Sequence, residues 1–484
     1  MKKLLLIMMF APTAALLADE STEALRKEFE AYKQTSEQRI QSLESQLAPT
    51  NQTDFTQEEV DQLRMLADRG TFDFAFEGYL RAGYGVSKGG ASQVAFQAPN
   101  ANSKYRLGNE AETYLETAFI ARTPETTTGD PDKNFETVLR LAYSVPTSNS
   151  GAYDTTLSLR EAYGKAGGLI ANNPTASWWA GQRFYSRIQV HMTDFWYRDM
   201  SGYGGGIEEV GIGDAMHLGF AWIGGSIDEL NSDGTVITDP NGVFRKDSFD
   251  LELTKIAALG GEFRTQLTYS YFNGQNVTTA LPGTVELTDS HGASINMFQI
   301  NDFKNGWNNT AVLQLGRGAA FNFLGQMTVP NGLDIDTLPD GTVVDTEKFE
   351  QYRFVEDLIY DNGGKVSGSA TAVFQHSDGH VPLTRVQWTS LGVRPVYHFD
   401  RNYSFATEAG WDYTDQKDGN SGSVFKLTFA PQITPEMSVL SRPAIRLFFT
   451  YAWWSDGFQG QVGSPAYANT TKGFSTGVQL ETWW

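Results

Sequence analysis

No cysteine occurs in the 484 residues of the chain, which excludes disulfides, thiolate metal sites and thiol catalysis. Long hydrophobic runs are missing too. Beyond the first twenty positions there is no stretch of about eighteen apolar residues, the length a membrane-crossing helix needs, and the mean hydropathy is −0.35. Positive charge is scarce: 37 basic against 57 acidic side chains leave a net charge of −20. A phosphate binder needs the opposite balance, so nucleic acid is not a partner. Catalytic patterns are absent as well. The six histidines are scattered, with His376 and His380 as the only close pair, and neither HExxH nor a nucleophile elbow occurs. The glycine-rich GYGGGIEE (202–209) lacks the Gly-Lys-Ser/Thr of a phosphate loop and reads as a turn. An enzyme is therefore not expected.

What is present falls into three segments. Residues 1–18, MKKLLLIMMFAPTAALLA, carry two lysines and a short apolar core and read as a signal peptide cleaved near Ala18. The core is too short for a spanning anchor. Residues 19–70 are helical by propensity, because Ser21–Gln46 is rich in Glu, Lys, Gln and Ala without Gly or Pro. Leu25, Phe29, Tyr32, Ser36, Ile40, Leu43 and Leu47 fall at three- and four-residue steps with a slip near Ser36. That pattern fits either a solvated helix with one apolar stripe or a short periplasmic coiled coil. A second short helix is expected over 56–70.

From residue 71 to 484 the texture changes to short alternating strands separated by Gly, Asn, Asp and Ser loops. FEGYLRAGYGV, ETYLETAFIAR, FRTQLTYSYFNG, WTSLGVRPVYHF and AIRLFFTYAWW are clear cases. No long helix and no βαβ rhythm interrupts them, so a parallel sheet is unsupported. An exported all-β chain ending in the alternating strand GVQLETWW fits an outer-membrane barrel better than a soluble sandwich. One stretch, RFYSRIQVHMTDFWYRD (183–199), gathers arginines, aromatic rings, two aspartates and a histidine. Its alternation would put Arg187, Gln189 and His191 on the lumen side. Ile188, Val190 and Met192 would then face lipid or a neighbouring subunit. The stretches DPDKN (130–134) and DIDTLPDG (334–341) offer oxygen ligands for a structural Ca²⁺ in external loops, although solvated loops explain them equally. No other cofactor is indicated.

Four strings carry a family resemblance: SKYRLGNEAETY (103–114), WWAGQRFYSRIQVHMTDFWYRDMSGYGGGIE (178–208), SRPAIRLFFTYAWW (441–454) and QLETWW (479–484). They resemble the maltoporin family, sugar-selective outer-membrane porins. The N-terminal segment resembles the extension of sucrose porin. The resemblance implies an all-β fold, an 18-stranded antiparallel transmembrane β-barrel with a short N-terminal helical or coiled-coil extension in the periplasm. It also implies a homotrimer in the bacterial outer membrane, in contact with the lipid bilayer and lipopolysaccharide, that passes mono-, di- or oligosaccharides. A general diffusion porin is the alternative.

Sugar chemistry explains the residue types. Aromatic faces meet the C–H faces of a pyranose, while guanidinium and carboxylate groups bind neighbouring hydroxyls. By resemblance, the family's aromatic slide falls on Tyr79, Tyr114, Tyr153, Trp307 and Trp483, with Tyr153 standing in for a loop tryptophan from a neighbouring subunit. One rung is the aliphatic Leu440. The polar track falls on Arg81, Arg106, Glu116, Arg160, Arg187, His191, Asp194 and Asp199. Trp196 takes the place of a pore-narrowing tyrosine and Gln189 that of an aspartate. Both cysteine positions of the family's first-loop disulfide are alanine here (Ala95 and Ala111), so that loop must be held by packing or ions. Trp484, alternating with Trp483, is expected in the interfacial girdle.

Overall fold

The computed structural model describes residues 73–123, 133–145, 156–213, 215–227, 244–278, 283–325, 335 and 338–484. The expected signal peptide, the helical extension and its boundary at residue 71, Tyr153, residues 130–132 of the first candidate Ca²⁺ stretch and residues 334, 336 and 337 of the second lie outside the described residues.

Eighteen antiparallel strands close on themselves. They are β1 (Asp73–Val86), β2 (Thr113–Arg122), β3 (Asn134–Val145), β4 (Thr156–Gly167), β5 (Ser177–Arg183), β6 (Gly202–Ile212), β7 (Met216–Ile227), β8 (Phe244–Ala258) and β9 (Gly261–Asn273). The circuit continues with β10 (Ser290–Phe303), β11 (Trp307–Arg317), β12 (Glu350–Tyr360), β13 (Val366–Asp378), β14 (Val386–His398), β15 (Tyr403–Gln416), β16 (Ser421–Ile433), β17 (Ala444–Trp454) and β18 (Lys472–Trp483). The last strand returns to the first, with Tyr79 opposite Trp483 and Arg81 opposite Glu481. Closure removes every sheet edge, the only way a sheet can satisfy its backbone in lipid. Among the described residues no helix is long and apolar enough to cross a membrane, which is immaterial to a chain that crosses with strands.

Side chains alternate across the wall. Along β14, Trp388, Ser390, Arg394 and Val396 are buried inward, while Leu391, Val393 and Tyr397 are exposed outward. The same parity leaves Phe76, Phe119, Leu313 and Phe374 exposed on the outer face, as lipid contact demands. Trp484 continues the ladder through mutual hydrogen bonds with Gly78 and turns outward, 5.4 Å from the Phe76 ring. The GYGGGIEE stretch is barrel strand β6 and not a turn. Its glycines permit close strand approach: a Cβ at Gly204 would lie 2.0 Å from the Trp222 carbonyl oxygen, and one at Gly206 2.4 Å from that of Phe220.

A short turn, Leu259–Gly260, joins β8 to β9 at the end where the chain finishes, and the long connections 87–112 and 184–201 lie at the other end. Two of the long connections fold into the lumen, joined there by Phe323–Gly325 from the connection after β11, which pairs with Asp199. The 183–199 stretch is one of them. Beyond Arg183 the chain leaves the wall and forms a small hairpin, Ile188–Val190 against Phe195–Arg198, joined by a turn at His191–Thr193. Its apolar side does not face lipid. Val190, Met192, Phe195 and Tyr197 are buried against the inner wall at Phe298, Val312, Val355, Val373 and Trp388, and Ile188 packs on the same cluster. A loop inside a barrel still has one dry side, the wall, so its alternation reports wall against water and not lipid against water. Each such buried side chain contributes about 1.5–3 kcal/mol.

The other inward connection, 87–112, is wedged by Tyr105. Its ring lies flush on two wall glycines: a Cβ at Gly392 or Gly410 would overlap it, at 2.0 and 2.4 Å. Its hydroxyl meets Ser390 Oγ at 2.8 Å. Leu107 N donates to Glu408 Oε1 at 3.1 Å, and the Lys426 ammonium donates to the carbonyls of Lys104, Tyr105 and Leu107. Packing and ions hold this loop without a disulfide. Gly410→Val should therefore expel the ring and raise single-channel conductance in planar bilayers. Tyr105→Ala should do the same while costing about 3 kcal/mol of stability on the scale of large core truncations, read as a lowered unfolding temperature in detergent. Unchanged conductance in both variants would refute the wedge.

Candidate functional site: a lumenal constriction

The two inward loops meet β1, β2 and β18 around a cavity of about 360 Å³. Small-molecule sites span ~300–1,000 Å³. Tyr79, Arg81, Arg106, Tyr114, Glu116, Arg187, Gln189, His191, Asp194, Trp196 and Trp483 line it. Alternation places the wall members. Tyr79 and Arg81 share the inward face of β1, Tyr114 and Glu116 that of β2, and Glu481 and Trp483 that of β18.

Aromatic and charged groups interleave. Tyr79 and Tyr114 have ring centroids 6.3 Å apart, and the Arg81 guanidinium lies over the Tyr114 ring at 4.9 Å. Arg81 Nε donates to Glu112 Oε1 at 3.0 Å. Arg106 donates through Nε to Glu110 Oε2 at 2.8 Å and through Nη2 to the Tyr79 hydroxyl, which in turn donates to Glu481 Oε1 at 3.2 Å. Glu481 also takes Arg442 Nη2 at 2.7 Å and Arg446 Nη1 at 2.8 Å, and the Arg442 guanidinium covers the Trp483 ring at 4.2 Å. On the hairpin, Arg187 is sandwiched between Trp196 (3.6 Å) and Phe184 (4.2 Å), while its Nε donates to Asp199 Oδ2 at 3.1 Å. Lys104 bridges Glu110 and Asp194 at 2.7 and 2.8 Å.

Two loop groups titrate abnormally. Burial would raise the Glu110 carboxyl, but Arg106, Arg81 and Lys104 around it hold it down at about 2. His191 is pushed well below the usual imidazole range by burial and by Arg106, against Glu481, with Arg442 adding to the depression. Its Nδ1 faces Arg106 Nη1 at 3.1 Å. Its Nε2 faces Arg442 Nη2 at 3.3 Å, so both ring nitrogens meet guanidinium N–H groups, which disfavours a charged ring.

Most sequence-predicted residues converge; Arg160, Asp199, Trp307 and Leu440 do not line this cavity. Arg160 and Asp199 line an adjoining cavity of about 220 Å³ with Phe184, Ser201 and Leu324. Trp307 is the clear correction. In β11 the inward residues are Val312 and Gln314, both buried, so Trp307 has the opposite parity with Leu313 and Leu315. It packs on Tyr360, centroids 4.6 Å apart, in an outer groove with Leu358, Val366, Val393 and Pro395. The family string placed it on the slide; the pleat puts it in the lipid-facing girdle. Leu440 sits in the turn before β17 and does not line the cavity. Sequence reasoning missed Phe184, Glu110, Glu112, Arg442 and Glu481. Glu481 was accessible, since it lies two residues from Trp483 in an alternating strand.

The family model described as LamB porin matches residues 74–484. Among solved structures, OpdK of Pseudomonas aeruginosa, crystallised with vanillate, is 10% identical, covers 85% of this chain and 99% of its own, and superposes with a TM-score of 0.45. OccK2 (OpdF) of the same organism is 13% identical over 85% and 97%, TM-score 0.45. A BenF-like porin of Pseudomonas fluorescens Pf-5 is 11% identical over 85% and 98%, TM-score 0.45. Likeness at that level carries no ligand over to this chain.

Because His191 stays uncharged well below the ordinary value of about 6.5, conductance should show no step of His191 origin between pH 8 and pH 6. A transition in that window that disappears in His191→Gln would contradict the environment described. Trp196→Ala, which removes one face of the Arg187 sandwich, should widen the constriction and raise conductance, with Arg187 retained by Asp199; its cost is about 1 kcal/mol.

Proposed function

The chain belongs to the LamB porin family, outer-membrane β-barrel channels and not enzymes, and on that premise we propose that this member is a sugar-selective channel. Facilitated diffusion of mono-, di- or oligosaccharides is the activity, in the bacterial outer membrane and as a homotrimer surrounded by lipid and lipopolysaccharide, with the N-terminal extension in the periplasm. One observation carries the reading: aromatic rings alternate with fixed hydrogen-bonding groups around a single constriction. A channel selecting only by charge has no use for the rings. Tyr79, Tyr114, Trp196 and Trp483 supply flat apolar contact for pyranose faces. Arg81, Arg187, Glu116 and Asp194 are at hand for hydroxyls.

Pre-pairing of the ions matters as much as their presence. With Arg106, Arg442 and Arg446 paired to Glu110 and Glu481, a neutral sugar meets rings and dipoles and need not break these ion pairs. Binding then stays weak enough for release, about −4 kcal/mol at millimolar affinity. Gln189, neutral where the family has an aspartate, removes one negative charge from the cavity lining.

The test is ion current through the reconstituted channel titrated with glucose, sucrose, maltose and maltotriose. Saturable block is expected for at least one of them, and current indifferent to all four would sink the proposal in favour of a general porin. Trp483→Ala should weaken block about tenfold, ~1.4 kcal/mol. Trp307→Ala, on the outer face, should leave block unchanged.

A further inference from the structure

We propose that Glu350, His376 and Asp378 form a binding site for a divalent transition-metal ion of the Zn²⁺ class, on the long-loop rim of β12 and β13. One donor atom from each residue lies within 4.8 Å of the others. The strand register makes the cluster: Glu350 is directly opposite Asp378, and Tyr352 is opposite His376, across the β12–β13 ladder. The Tyr352 ring stacks on the imidazole at 4.8 Å and 21°, which fixes its plane. His376 Nδ1 is shut off from solvent and has no hydrogen-bond partner, an arrangement that costs free energy until something accepts or is bound there.

A fourth donor stands beside the three. In the connection after β13, the backbone N–H of His380 donates to Asp378 Oδ1 at 2.8 Å, and its Nε2 is 3.8 Å from Glu350 Oε1. Two imidazoles with two carboxylates are a mixed nitrogen–oxygen set. That set favours Zn²⁺, Ni²⁺ or Cu²⁺ over Ca²⁺, which takes six to eight oxygens. Arg385 Nε donates to Asp378 Oδ2 at 2.6 Å and is itself half exposed. It neutralises the carboxylate without metal and competes with the ion, which weakens binding. Glu350 and His376 share the outward parity of Tyr352 and Phe374, so the ion clips the 379–385 connection onto the wall without entering the lumen. The site is independent of the sugar reading.

The experiment uses the full chain without an affinity tag, in detergent micelles and stripped of metal by a chelator. Zn²⁺ is titrated calorimetrically and Co²⁺ by its visible absorption. Saturable binding of one ion per chain is expected, weakened about tenfold or more by His376→Ala and by Glu350→Gln, with single-channel conductance unchanged in both. His380→Ala should weaken binding less. No saturable binding to the unaltered chain, or binding that survives both Glu350→Gln and His376→Ala, overturns the site. If His376→Ala does not fold, Glu350→Gln decides alone: unaltered affinity in that variant overturns the proposal.

Discussion

Everything the channel can do depends on how the wall grips the backbone of loops folded into its lumen. A chain segment in a barrel interior has left its sheet partners, and each carbonyl facing the wall must find a donor or cost free energy. The wall supplies long cationic and amide donors for that purpose. Arg353 Nη1 and Gln314 Nε2 both donate to the Tyr197 carbonyl, at 2.7 and 3.0 Å. Arg394 Nη2 reaches Met192 O at 3.0 Å, and Lys246 Nζ reaches Leu324 O at 2.7 Å. Lys426 does the same for the first loop at Tyr105. Hydrogen bonds from charged donors contribute about 1.5–3 kcal/mol each, and here they come from strands that cannot move independently of the barrel.

The same constraint explains the buried ions. Arg198 and Asp250 are fully buried and 2.6 Å apart, and Glu408 holds Arg394 and Lys426 at 2.5 and 3.1 Å. Ion pairs of this kind are poor sources of stability compared with apolar packing. Their use is positional: a cation whose carboxylate fixes its stem can aim its remaining N–H groups at a chosen carbonyl. Arg394 shows both halves, with Glu408 on one side and the Met192 carbonyl on the other. The apolar contacts of the hairpin, such as Phe195 edge-on to Trp388 at 5.0 Å, exclude water from these bonds and so strengthen them.

How far this was legible in the sequence follows from the same physics. Barrel class, strand alternation and the inward faces of β1, β2 and β18 were readable, because a two-residue period with an arginine on the aromatic face distinguishes lumen from lipid. Tyr79 and Arg81, two apart in β1, share the inward face, and Trp483 alternates with the outward Trp484. Ile188, Val190 and Met192 were misassigned because period two says only that the two sides differ, and a loop lying on a wall alternates as a strand does. Trp307 went wrong by the opposite route. The resemblance puts it on the slide, whereas its parity with Leu313 and Leu315 turns it outward. Charge partners such as Arg442 with Glu481 are beyond a single sequence, since β17 and β18 set their meeting by register. Tyr105 on Gly392 and Gly410 is likewise a long-range fit with no local signal.

A lumen built this way separates two jobs that a soluble binding site combines. In a soluble site the groups that hold the backbone often also touch the ligand, so tightening one tightens the other. Here Arg353 and Arg394 face carbonyls on the dry side of the hairpin, Lys426 those of the first loop and Lys246 that of Leu324, while Arg187, Asp194 and Trp196 line the cavity. Substitution on the wet side can change what the constriction prefers without loosening its mount, as Trp196 for tyrosine and Gln189 for aspartate suit. The sandwich of Arg187 between Phe184 and Trp196 fits that division. It is held by rings and by Asp199 within the loop itself, so this side of the cavity owes its shape to local contacts and its position to the wall.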